Sequence, residues 1–150
     1  MPPRRFYARI VIARDQGDVF AWVADYRNVA SVLEGVERWE PLGETTAGVG
    51  ARFDVAMRAL GVPLANVLVL DRWEKPRAIG WRSESGLVGQ TGGWRFQARS
   101  RGTDVRLSIA YQPPGGALGA LGALLAGRMD GLVRGRLEEA LARMKTTLER

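Results

Sequence analysis

Ala51-Arg52-Phe53-Asp54-Val55-Ala56-Met57-Arg58-Ala59 alternates residue by residue. Phe53, Val55, Met57 and Ala59 fall on one side of an extended chain, and Arg52, Asp54, Ala56 and Arg58 fall on the other. This pattern predicts a strand with one face buried and one face in water. It recurs downstream. Leu64 to Trp73 reads as a strand entered from a Gly61-Val62-Pro63 turn and broken by Lys75-Pro76. Ile79, Trp81 and Ser83 then oppose Ala78, Gly80 and Arg82. Gly86 to Gly93 reads as a Gly-rich connection, after which Trp94, Phe96 and Ala98 oppose Arg95, Gln97 and Arg99. Arg101-Gly102-Thr103-Asp104 is a hairpin signal ahead of Val105, Leu107, Ile109 and Tyr111 on one face. Short consecutive strands predict an antiparallel meander rather than βαβ units. An Arg-rich outer face predicts a sheet covered on one side only.

Toward the N-terminus, Phe6 to Ala13 reads as a first strand. Asp15 is a candidate helix cap, with Asp18 adding negative charge three residues on. Val19, Phe20, Val23 and Ala24 share a helical face. A second short helix places Tyr26, Val29 and Leu33 together and ends at Gly35. Toward the C-terminus, Leu118, Leu121, Leu125, Met129, Leu132, Val133, Leu137, Ala140, Met144 and Leu148 form a stripe at helical spacing. Such a helix reaches roughly 45–50 Å, enough to cover a whole sheet. Asp130–Arg134 and Glu139–Arg143 are expected as i, i+4 pairs on its outer side. The expected fold class is α+β: a curved antiparallel sheet of about seven strands around a long C-terminal helix, with two short helices after strand 1. No internal repeat or boundary divides residues 1–150, so one domain is expected.

Composition excludes more than it offers. The chain has 150 residues with no Cys and no His. That removes disulfides, thiolate nucleophiles, imidazole bases and His or Cys metal ligands, so no metal and no cofactor are expected. The 22 Lys+Arg against 16 Asp+Glu give a net charge of +6. An excess of this kind raises a nucleic-acid or anionic-surface reading. Strand alternation, however, points Arg52, Arg58, Arg82, Arg95, Arg99 and Arg106 to solvent, and no basic run accompanies them. No nucleic-acid partner is expected. Met1-Pro2-Pro3-Arg4-Arg5 is not followed by a signal-like apolar stretch. The uncharged stretch Gln112 to Gly127, Pro-broken and Gly-rich, falls short of the ~20 apolar residues of a membrane span. A cytoplasmic location without a transmembrane segment is expected.

Several motifs, in order, carry a family resemblance. Ile12-Ala13-Arg14-Asp15 through Val19-Phe20-Ala21-Trp22-Val23-Ala24-Asp25 is similar to the opening strand and helix of the START-like polyketide cyclase/dehydrase-like (SRPBCC) family. Leu33-Glu34-Gly35-Val36 stands in the place of that family's "W-x-P-G-V" segment, here without the Trp or Pro. Gly48-Val49-Gly50-Ala51-Arg52-Phe53 resembles "G-V-G-T-R-F". Asp71-Arg72-Trp73-Glu74-Lys75-Pro76-Arg77 resembles the acidic-to-Pro-Arg bend, and Gly102-Thr103-Asp104-Val105 the "G-T-x-V" hairpin. The resemblance implies a helix-grip fold whose sheet and long helix enclose a cavity for an apolar ligand. It further implies relatives among polyketide cyclases and aromatases, lipid carriers and quinone-binding proteins, and fold alone does not choose among them.

The residues expected to line such a cavity are Phe53, Met57, Trp81, Trp94, Phe96, Leu107, Met129, Leu132 and Val133. Tyr26 is a candidate hydroxyl at the cavity mouth, and Ser83 a candidate donor to a ligand carbonyl. Aromatic walls and Met suit flat or irregular apolar ligands. Asn66 shares parity with Leu64, Leu68 and Leu70, but Val67 and Val69 on the other parity are equally apolar, which leaves its direction open. No inward Arg is found on the strands. The expected function is binding, and on that basis transport, of a small hydrophobic molecule such as a lipid, quinone or polyketide. The enzyme alternative is cyclase/dehydrase chemistry through cavity shape and carbonyl polarisation, with no catalytic residue assigned. Gly127, Gly131 and Gly135 fall on the back of the C-terminal helix and mark a candidate homodimer seam.

Overall fold

The computed structural model describes residues 4–59, 61–86, 89–112 and 119–150, with side chains placed for all of these but 62 and 119–126. In chain order the elements are β1 (Arg4–Ile12), α1 (Gln16–Ala24), α2 (Tyr26–Val32), β2 (Val36–Pro41) and β3 (Arg52–Ala59). They continue with β4 (Val62–Glu74), β5 (Ala78–Gly86), β6 (Gln90–Arg99), β7 (Gly102–Tyr111) and α3 (Gly119–Leu148). The strands form one antiparallel sheet in the order β1-β7-β6-β5-β4-β3-β2. It is a meander from β2 to β7, and the first strand joins β7 at the far edge. The sheet curls around α3, which lies chiefly along β1. This is the helix-grip arrangement expected from the alternation.

The two sides of the sheet differ as the pattern requires. Phe53, Val55 and Ala59 are buried while Arg52 and Arg58 are exposed. The outer arginines pair with carboxylates on other strands: Arg38 with Asp54 at 3.0 Å, Arg52 with Glu84 at 2.6 Å across the intervening β4, Arg58 with Glu37 at 2.7 Å. Arg9 and Arg99 both close on Asp104, and their guanidinium groups hold its carboxyl below the ordinary range. Arg106 lies over the Tyr7 ring at 4.0 Å.

Beneath α1 the inner face is filled. Phe20 meets Phe96 edge-on at 5.7 Å and Trp73 at 5.4 Å. Leu141 and Met144 of α3 complete this core with Ile12, Val19, Val105 and Leu107. Its polar atoms are satisfied: Thr103 Oγ1 donates to the Arg14 carbonyl, and Gln16 Nε2 to that of Phe96.

Several local expectations are corrected. Asp15 occupies the N-cap of α1, but its carboxylate makes no capping hydrogen bond. Arg14, anchored on the Leu148 carbonyl at 2.8 Å, draws in Asp18 at 3.0 Å instead. The working cap is Asp25, which accepts from the Arg27 N–H at the start of α2. Asp130 does not pair with Arg134. This turn of α3 faces β1 and the end of β7, so Asp130 binds Arg4 at 3.1 Å while Arg134 covers the Phe6 ring. Glu139–Arg143 does form, at 3.8 Å. The Gly-rich connection is shorter than expected, because β6 resumes at Gln90 and takes Gly92 and Gly93 into the strand. Of the helical stripe, Leu118 and the side chains of Leu121 and Leu125 lie outside the described residues. Gly127, Gly131 and Gly135 have open space around their Cα atoms, on the side of α3 away from the sheet.

Candidate functional site

Toward β3, β4 and β5 the inner face is no longer filled, and a cavity of about 220 Å³ lies between it and α3. One water needs only ~10–15 Å³ on this measure. The wall is mostly apolar. From the strands come Phe53, Val55 and Met57, then Leu64, Leu68 and Leu70; from α3 come Met129, Leu132, Val133 and Leu137. Trp39, Trp73, Trp81 and Trp94 add four indoles.

Among the residues expected at this site, Tyr26, Phe53, Met57, Trp81, Trp94, Leu107, Met129, Leu132 and Val133 all line the cavity. Phe96 and Ser83 do not. Phe96 faces inward, but α1 sits over it and seals it into the core against Phe20. Ser83 lies where β5–β6 pairing ends, and its Oγ accepts the Gln90 backbone N–H at 2.9 Å. Asn66, whose direction the sequence left open, lines the cavity with Leu64 and Leu68.

Trp39 and Trp73 were missed because each follows a β-bulge. On β2, Val36 opposes Met57 and Trp39 opposes Val55, so three residues span what two span on β3. On β4, Leu70 opposes Trp81 and Trp73 opposes Ile79, again with one extra residue. Each bulge inverts the parity that follows it and turns the indole inward. Trp81 depends on a different device. Its ring lies flat over Gly92, where any Cβ would overlap the indole. Its Nε1 donates to Gln90 Oε1 at 3.3 Å.

The polar groups of the wall are few and unevenly satisfied. Tyr111, at the end of β7, donates its hydroxyl to Asp130 of α3. Burial, then this hydrogen bond, pushes the phenol above its usual pKa and keeps it neutral. Arg136, an inward arginine that strand alternation cannot reveal, comes from α3. It stands three residues after Val133 and four after Leu132, so it interrupts the apolar stripe, and that interruption was the available signal. Its Nη2 donates to the Arg58 carbonyl at 2.7 Å. Gly35 makes room for it, since a Cβ there would come within 2.9 Å of Nη2 and 2.7 Å of the same carbonyl. Three buried polar atoms have no hydrogen-bond partner among the described residues: Trp39 Nε1, Asn66 Oδ1 and Arg136 Nε. All three belong to residues of the cavity wall.

The family described as polyketide cyclase / dehydrase and lipid transport matches residues 3–149. The chain belongs to that family. No curated protein matches it in sequence. Similar solved structures include a protein of Thermus thermophilus, with TM-score 0.81 and 20% identity over 97% of each chain. The Zhui aromatase/cyclase from a Streptomyces species superposes with TM-score 0.75 at 18% identity, over 95% of this chain and 94% of that one. The two-domain aromatase/cyclase StfQ of the steffimycin pathway matches with TM-score 0.75 at 15% identity, over 99% of this chain and 51% of its own. Identities this low establish a shared fold. Among the described residues, no group of three acidic side chains is placed to hold a metal ion, and no helix is long and apolar enough to cross a membrane.

Proposed function

We propose that this chain binds a small hydrophobic molecule of lipid, quinone or polyketide type in the cavity between β3–β5 and α3, as a single-domain carrier or binding protein of the cytoplasm. The observation that carries this reading is the cavity itself, about 220 Å³ walled by indoles, leucines and methionines. Under α1 the inner face is closed by buried side chains, and an apolar cavity costs stability. Its retention therefore supports a ligand-binding role. The pairing of outer arginines with carboxylates supports reading the +6 charge as a solvated face rather than a nucleic-acid surface.

The test is native mass spectrometry of freshly purified protein. The expected result is a bound hydrophobic mass, lost in Trp81→Ala while the circular dichroism spectrum is retained. Unchanged retention in that variant would count against the cavity.

Cyclase/dehydrase chemistry is the second reading, favoured by the Arg136 guanidinium in the cavity wall. A cation in that position can polarise a ligand carbonyl without metal or nucleophile. Under this reading the protein accelerates closure of a linear poly-β-ketone thioester, and Arg136→Gln removes most of the gain. Equal rates with and without protein would leave binding alone.

A further inference from the structure

The three orphaned atoms define a polar pattern inside an apolar cavity. Trp39 Nε1 and Arg136 Nε are donors, and Asn66 Oδ1 is an acceptor. Buried polar atoms are nearly always paired, and an unpaired one costs stability. Three in one cavity wall read as the complement of something that enters it.

Their placement is ordered by the sheet. Trp39 opposes Val55 and Val55 opposes Asn66, so the indole N–H and the amide flank one row across β2, β3 and β4. Arg136 reaches the same strands at the Gly35–Arg58 end. From Val55 to Arg58 is three residues, roughly 10 Å along a strand. The charge thus lies at one end of the wall and the two neutral groups lie further along it.

Arg136 is the decisive member. Its hydrogen bond to Arg58 is to a neutral carbonyl, and no carboxylate among the described residues pairs with it. By contrast, Arg38, Arg52 and Arg58 on the outer face each have an acidic partner. Arg136 is half-buried, with its Nε buried and unpaired and its Nη2 toward solvent, so a ligand oxyanion that reaches it gains a charge-assisted hydrogen bond. Resting on the binding reading above, we propose that the ligand is a hydrophobic acid. Its carboxylate or enolate oxygen meets Arg136 at the Gly35 end, and a second oxygen-bearing substituent meets the Trp39–Asn66 row. A plain hydrocarbon or a neutral ester leaves Arg136 unanswered.

The experiment compares 3-hydroxy-2-naphthoic acid with its methyl ester, titrated into the intact protein at pH 7 and followed by tryptophan fluorescence and calorimetry. The expected result is at least about tenfold tighter binding of the acid, in line with a hydrogen bond to a charged group. Arg136→Gln is expected to abolish that preference and leave ester affinity within about twofold. An ester that binds the wild-type protein as tightly as the acid overturns the acid proposal while leaving cavity binding intact. An acid preference that survives Arg136→Gln overturns the role of Arg136. If neither compound binds and no mass co-purifies, the binding reading falls and takes this inference with it. The wild-type comparison needs no variant, so misfolding of Arg136→Gln does not blunt it.

Discussion

The inner face of the sheet is treated in two ways. Under α1 and the C-terminal turns of α3, Phe20, Phe96, Leu141 and Met144 are packed and almost fully buried, and Thr103 and Gln16 find partners. Over β3, β4 and β5 the same face borders a cavity, and Trp39, Asn66 and Arg136 each keep a polar atom without one. Strand chemistry is alike in both regions. The helices make the difference: α1 and the end of α3 close down on β1, β6 and β7, and α3 stands off the strands beyond. One part of the molecule is devoted to stability, and the other gives up stability for a cavity.

The contrast is open to direct attack. Phe96→Ala, in the filled part, is expected to lower stability by about 3–5 kcal/mol. Met57→Leu, in the cavity wall, should cost less than about 1.5 kcal/mol. Urea titration measures both, and equal losses would erase the distinction. Gly92→Ala comes next. A Cβ there displaces the Trp81 indole, so a loss of about 1–3 kcal/mol is expected, together with a shifted tryptophan emission and weakened probe binding. Retained emission would show that the ring does not depend on this glycine.

Gly131→Ala probes the side of α3 away from both regions, where nothing meets a Cβ. It should stabilise by about 1 kcal/mol, raising Tm by roughly 2–4 °C without changing the mass in solution. A fall in mass by light scattering would establish instead that this glycine row packs against a second copy.

The smallest effect concerns Asp104, on the outside of the filled part. Its carboxyl is held low by Arg9 and then by Arg99, so the folded state favours the ionised form. The stabilisation is present above the ordinary aspartate value near ~3.9 and is lost as pH falls toward the lower folded value. Asp104→Asn should flatten that acid limb in thermal melts, with its loss of stability fully present at pH 7 and shrinking as the pH falls below about 4. An unchanged acid limb would show that Asp104 does not contribute to it.

Much of this was legible from residue order. Alternation in Ala51 to Ala59 and the stripe from Met129 to Leu148 foretold the sheet, the covering helix and part of the cavity wall. Parity failed where the chain departs from strict pleating, at the bulges that turn Trp39 and Trp73 inward. It also failed where facing inward and lining the cavity part company, since Phe96 faces inward but is capped by α1. Arg136 escapes alternation because it lies on α3, where the period-2 pattern does not apply. Asn66 stood between two equally apolar faces, and only its register against Val55 decides between them.

The extra residues at the bulges of β2 and β4 act as phase shifts in a two-state count. An insertion of one residue leaves the strand partners in place while exchanging the two faces for every position beyond it. The cavity's tryptophans are therefore specified by parity as much as by identity, and a one-residue deletion near Glu37 or Asp71 would send an unchanged Trp39 or Trp73 into solvent. Homologues that keep the same residues can differ in ligand by a single such step, which substitution-by-substitution comparison would not see.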